Sequence, residues 1–175
     1  RVNLHSVCDT DRSRLSLLKK QYDHISVTED YLEILNNPEV DAIVIATPAS
    51  THYRLAMDSL KHDKHVLVEK PLALSTKECV QLVECAESRN KVLMVGHTFL
   101  FNSAVNKLKE YIVNKEIGEV FYIFAERLNL GQIRRDVNAL WNFAPHDISI
   151  MLHILERVPH RVRARGLKYT NDVNE

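Results

Sequence analysis

A chain of 175 residues, 45% hydrophobic and 26% charged, has the composition of a soluble globular protein, with room for one domain or parts of two. Its 23 basic and 23 acidic side chains cancel, so no net field draws nucleic acid or an anionic membrane, and its longest apolar runs are far short of a bilayer span. Three cysteines (Cys8, Cys79, Cys85) without CxxC spacing argue against a disulfide framework or zinc site; with no secretory pattern at the start, a cytoplasmic setting is expected.

Short apolar runs alternate with helical patterns. The run over 2–8 reads as a strand ending at Asp9, and Leu15, Leu18 and Tyr22 then recur at helical spacing. Thr28 is placed to cap a helix carrying Tyr31, Leu32 and Leu35, which Asn36-Asn37-Pro38 closes. Residues 42–46 (AIVIA) read as a fully buried strand halted by Thr47-Pro48, and Ser50 or Thr51 opens the next helix, with Leu55, Ala56 and Leu60. A strand over 65–68 ends abruptly in Glu69-Lys70-Pro71. Ser75-Thr76-Lys77-Glu78 is a capping box for a helix through Leu82, Val83 and Ala86, and residues 92–95 form a further strand ending at Gly96.

Continuous apolar strands separated by helices predict an α/β fold: a parallel Rossmann-type sheet with helices on both faces. After residue 98 the pattern changes. A helix through Val105, Leu108 and Ile112 leads to Gly118, and residues 120–130 look like an antiparallel strand with one wet face. A polar loop over 131–138 precedes a helix over about 142–155 and a last strand over about 161–167. The expected division is a partial dinucleotide-binding domain over 1–98 and a partial α+β domain over 99–175, with an antiparallel sheet for substrate binding or self-association.

The chemistry gathers at strand ends. Open α/β sheets bind ligands beyond the carboxyl ends of their strands, and Lys70 is delivered there by a buried run. Asp9 ends the first strand, where a carboxylate either accepts hydrogen bonds from ribose hydroxyls or serves as a turn former. Thr47, Pro48 and His52 occupy the same edge. His146 has the titration range of a general base, or is a helix-start histidine bonded to backbone, with Asn142 as N-cap and Pro145 in the first turn. His62 and His65 are spaced HxxH without a third ligand nearby, so no metal is expected.

The order Val7-Cys8-Asp9, Ala46-Thr47-Pro48 with His52, His65 to Ala73 (HVLVEKPLA), and Pro145-His146-Asp147 resembles the glucose–fructose oxidoreductase/inositol dehydrogenase/MocA family. The resemblance implies a two-domain NAD(P)-dependent oxidoreductase of sugars or cyclitols, acting on a small molecule; separately, the strand over 120–130 suggests a sheet face for self-association, so a homo-oligomer is expected. It implies that Lys70 is the catalytic or substrate-orienting lysine and that His146 is the acid/base. Asp9 would bind the adenosine ribose, with Thr47, Pro48, His52 and Glu69 near the cofactor. Residues 129–149 look like the branch acting on nucleotide-linked amino sugars such as UDP-N-acetylglucosamine, at the sugar 3-hydroxyl. Arg134, Asp136, Asn138 and Asn142 would then be substrate contacts, although a solvated loop also accounts for the first three. Family members often carry aspartate where this chain has Asn142, and asparagine orients a hydroxyl without lending charge to an imidazolium.

One departure is large. Gly96, Gly118, Gly131 and Gly166 are the only glycines, and they form no GxGxxG turn to cradle a pyrophosphate. The expectation is a fragment of a longer enzyme, lacking the first strand and the glycine-rich loop. A non-catalytic relative acting as a binding or regulatory subunit is the alternative, and an NAD-assisted epimerase or glycosidase shares the scaffold. Asp9 favours NAD over NADP by repelling a 2′-phosphate, which Arg12 and Arg14 would soften.

Overall fold

Every strand among the described residues lies parallel to its neighbours, as apolar runs linked by helices require. The computed structural model describes residues 2–128 and 137–167. Its elements alternate: β1 (Ser6–Cys8), α1 (Arg12–Gln21), β2 (Ser26–Thr28), α2 (Tyr31–Leu35), β3 (Ala42–Ile45), α3 (Ala49–Lys61), β4 (His65–Val68), α4 (Thr76–Ser88) and β5 (Leu93–Val95). A 3₁₀ turn (Thr98–Phe101), α5 (Ser103–Val113) and α6 (Ala139–Leu155) follow. β1 pairs with β2, and β3, β4 and β5 form a second parallel sheet with β4 in the middle. In a doubly wound sheet the strand leading into the glycine-rich turn lies between these two pieces, and it is this strand that the sequence reading does not find.

The core sits where α3 and α4 cover β4. Ala56, Leu60, Val68 and Leu82 are fully buried there, with Ile45 and Val66 nearly so. Local signals set the helix starts. Asp11 caps α1 by accepting from the amides of Ser13 and Arg14. The capping box at α4 forms, with the Ser75 hydroxyl accepting from the Glu78 amide at 3.2 Å and the Glu78 carboxylate reaching back to the Leu74 amide.

The structure corrects five local expectations. Residues Ser26–Thr28 are strand β2, and Asp30 rather than Thr28 caps α2, accepting from Leu32 N at 2.9 Å. α3 begins at Ala49 after Pro48, so Ser50 and Thr51 lie in its first turn. β3 is not fully buried, because it pairs only with β4 among the described residues, and Val44 is 69% exposed. α6 begins three residues before the expected Asn142, at Ala139, capped by Asn138. No strand forms over 120–128 or 161–167: a strand needs a partner ladder to take up its N–H and C=O groups, and no described residue supplies one.

The core assignment sets a contrast for denaturant unfolding. Leu82→Ala is expected to lose about 2–5 kcal/mol by leaving a cavity against β4. Val44→Ala is expected to change stability by less than about 0.5 kcal/mol, and equal losses would contradict this placement of the core.

Candidate active site

Three parallel strands end side by side and each delivers residues to one edge: Thr47-Pro48 after β3, Glu69-Lys70-Pro71 after β4, and Gly96-His97 after β5. The backbone ties these ends together. Glu69 N donates to Ile45 O at 2.9 Å, and Gly96 N donates to Val68 O at 2.7 Å. Gly96 has no room to spare, since an added Cβ would meet the Glu69 carboxylate at 3.1–3.2 Å. A cavity of about 180 Å³ opens at this edge, walled by Thr47, His52, Glu69, Lys70, Val137 and Asn142 among others. Whole-ligand pockets run roughly 300–1,000 Å³, so this space takes one ring or a fragment of a larger ligand.

Lys70 is held from across the chain. Its ammonium donates to the backbone carbonyl of Asn142 at 2.5 Å, and the Asn142 side-chain oxygen lies at 3.5 Å. The main contact is therefore to the helix backbone, and the longer one is at the limit of a hydrogen bond. The Lys70–Pro71 peptide is cis. Asn138, not Asn142, caps α6, its side chain accepting from Trp141 N at 2.9 Å. Pro145 consequently lies in the helix interior, where its missing N–H leaves the Trp141 carbonyl without its helical partner.

His146 sits one turn after Asn142 on the same face of α6. Phe99 meets its ring edge-on at a centroid distance of 4.9 Å. Its Nδ1 is buried without a hydrogen-bond partner, as is Nδ1 of His97. Burial pushes the His146 pKa below its ordinary value, helped by the positive charges of Lys70, Arg127 and His97 and opposed by Asp147. Asp147 is itself committed: Arg127 forks onto its two oxygens at 2.8 Å each, with the guanidinium over the Phe99 ring at 5.4 Å. The imidazole therefore rests neutral, next to an ammonium, with no carboxylate of its own.

The remaining sequence candidates divide. His52 is 1% exposed, and both its ring nitrogens face backbone carbonyls, Pro71 O at 2.7 Å and Thr47 O at 2.8 Å. It ties the ends of β3 and β4 together from within the cavity wall, so its part in holding a ligand is indirect. The Asp9 carboxylate accepts from Asp11 N at 2.9 Å and lies 3.5 Å from Arg14, as a turn former would. Arg134 and Asp136 lie outside the described residues. His62 and His65 turn to backbone, at Asp58 O and Val92 N.

Sequence reasoning missed His97, Phe99 and the Arg127–Asp147 pair. His97 was findable by the rule that found Lys70: it stands two residues past the end of an apolar strand, at the carboxyl edge. The ion pair had no signal, because its partners are twenty residues apart in segments of different type.

The two histidines set a pH dependence. Burial is the leading cause holding both His97 and His146 below the ordinary value of 6.5, so the unfolded chain binds more protons than the native one as pH falls past that value. Their stabilising contribution is complete above about 6.5 and is lost as pH drops toward their native values. The denaturant midpoint is expected to fall between pH 7.5 and about 5.5, and to fall less in His146→Gln. An identical fall in that variant would contradict the assignment.

Comparison with known proteins bears on the family and the fold. A family model described as an oxidoreductase family with NAD-binding Rossmann fold matches residues 1–97. A UDP-N-acetylglucosamine 3-dehydrogenase of Acidithiobacillus ferrooxidans is 33% identical over 77% of this chain and 42% of its own length. A 1-carboxy-3-chloro-3,4-dihydroxycyclohexa-1,5-diene dehydrogenase of Comamonas testosteroni is 35% identical over 70% of this chain and 31% of its own length. Among solved structures, a 3-ketoreductase of Actinomadura kijaniata in complex with NADP and TDP-benzene superposes with a TM-score of 0.62 at 25% identity, over 67% of this chain and 36% of that one. The chain thus spans less than half the length of these relatives. With the family match extending over more than half of its residues, the chain belongs to the glucose–fructose oxidoreductase/inositol dehydrogenase/MocA oxidoreductase family, built on the NAD-binding Rossmann fold.

Proposed function

We propose that this chain carries the reacting end of an NAD(P)-dependent dehydrogenase that oxidises a secondary hydroxyl of a sugar, with a nucleotide-linked amino sugar as the favoured class. One observation carries the reading. Lys70 from β4 and the His146 turn of α6 converge through the Lys70–Asn142 contact, and the Lys70 charge acts on the His146 imidazole. The relatives matched above that are named as dehydrogenases and a ketoreductase support this reading.

The site suits the nicotinamide end of a dinucleotide better than its phosphates. The cavity beside Thr47 and Lys70 has the size of one ring, whereas no GxGxxG turn is present to receive the pyrophosphate. When bound, a nicotinamide supplies the hydride acceptor. The chain supplies the rest. The ammonium of Lys70 donates toward the substrate oxygen and stabilises the negative charge that grows on it as the C–H bond breaks. His146, neutral through burial, accepts the hydroxyl proton, so the alcohol leaves as a ketone with its two electrons in the carried hydride. Asp9 would hold the adenosine ribose and favours NAD, with Arg14 beside it limiting that preference. Asn138 and Asn142 flank the approach of the sugar.

A second reading is favoured by Asn142, which orients a hydroxyl without lending charge to an imidazolium: a relative that keeps the fold and serves as a binding subunit without turnover. The two readings separate in one assay. The complete translation product, mixed with NAD and a panel of UDP-sugars, is expected to raise absorbance at the reduced-nicotinamide band, and Lys70→Ala to lower the rate by 100-fold or more, about 2.7 kcal/mol of transition-state stabilisation. No absorbance change with any sugar would favour the binding subunit. The 175-residue chain alone is expected to bind NAD with a Kd of about 1 mM or weaker, and calorimetry giving micromolar affinity would overturn the argument from the glycines.

A further inference from the structure

α6 carries a proline where a helix has least use for one. With Asn138 as the cap, Pro145 falls in the interior of the Ala139–Leu155 helix. A proline there removes a backbone donor and presses its ring on the carbonyl four residues back, here that of Trp141. The turn over residues 141–145 is therefore one N–H short.

The same turn receives an ammonium. Lys70, from the end of β4, donates to the Asn142 carbonyl at 2.5 Å, with the Asn142 side-chain oxygen at 3.5 Å. In a regular helix a carbonyl lies along the axis, toward the amide four residues on, and presents its oxygen poorly to a partner at the side. Helices bend at proline, and carbonyls tilt outward where a helix bends. The Asn142 carbonyl stands three residues before Pro145, in the turn that the ring forces open. The turn before it keeps its helical bond, Asn142 N on Asn138 O at 3.0 Å. Pro145 thus lies between the carbonyl that holds Lys70 and His146, the residue that follows it.

We propose that Pro145 is a positioning residue for Lys70: by withholding an amide and tilting its turn of α6, it makes the Asn142 carbonyl the acceptor that fixes the ammonium at the cavity. This deepens the dehydrogenase reading and rests on it for what the fixed ammonium does. The donor that the proline removes from the helix is replaced by one from β4, and an ammonium has three to give. The turn and the sheet edge are then held together by the helix's own defect. A proline kept for the fold weakens the fold when it is replaced. One kept for a site works against the helix, so alanine in its place firms the fold and loosens Lys70.

The test is Pro145→Ala, which gives the turn back its N–H. In the 175-residue chain the melting temperature is expected to rise by about 3 °C or more. Acylation of Lys70 by acetic anhydride, read by mass spectrometry against the exposed Lys107 in the same digest, is expected to quicken about 5-fold or more as its acceptor is withdrawn. In the complete translation product kcat is expected to fall about 10-fold or more, with KM for the sugar little changed. A lower melting temperature, or a variant that does not fold, gives Pro145 a structural role and overturns the proposal. Unchanged acylation of Lys70 in the folded variant overturns it as well. The arms fail separately: a firmer fold with a more reactive Lys70, but no turnover by the native protein, would sink the dehydrogenase reading and leave the proline's role. Native turnover retained in full by Pro145→Ala would do the reverse.

Discussion

One hydrogen bond organises the functional end of this molecule: the Lys70 ammonium on the backbone carbonyl of Asn142. The two residues are 72 positions apart. One stands at the mouth of a parallel sheet, where apolar side chains fix the strand and Pro71 ends it. The other lies in the second turn of a helix set by the Asn138 cap. Because the lysine takes a main-chain oxygen, its position depends on where α6 starts more than on the side chain at 142. That softens the consequence of having asparagine at 142 in place of a charged aspartate. The orienting acceptor is there either way.

Charge accounts for the rest of the site. Burial and cationic neighbours bias His146 toward the neutral form that a proton acceptor requires, and Arg127 removes the one adjacent carboxylate that would oppose this. His52 is buried between the Pro71 and Thr47 carbonyls, where its ring N–H bonds the backbone at the ends of β3 and β4. Rigid backbone ends, a fixed ammonium and an uncharged imidazole are the parts that hydride abstraction from an alcohol asks of a protein.

What could be read from the sequence divides along physical lines. The parallel sheet, the α4 capping box and the delivery of Lys70 to the sheet edge follow from patterns confined to a few neighbouring residues, and such patterns are visible in one sequence. The start of α6 was misread because Asn138 and Asn142, one turn apart, send the same capping signal; only the Trp141 amide, bonded to Asn138, separates them. β2 was missed because three residues of Ser-Val-Thr are too short to show a period. The long run over 120–130 predicts a strand, but composition states a preference and a ladder needs a partner, which the described residues over 120–128 lack. Gly96-His97 carried the same edge signal as Glu69-Lys70 and was passed over.

The central claim is that the ammonium of Lys70 and the imidazole of His146 act on one and the same hydroxyl. A double-mutant cycle on hydride transfer by the complete translation product, using Lys70→Met, His146→Gln and their combination, tests it directly. Groups that act as a unit lose most of their effect with the first substitution, so the account predicts a double variant little slower than the slower single one. Losses that multiply would place the two side chains in independent roles and contradict it.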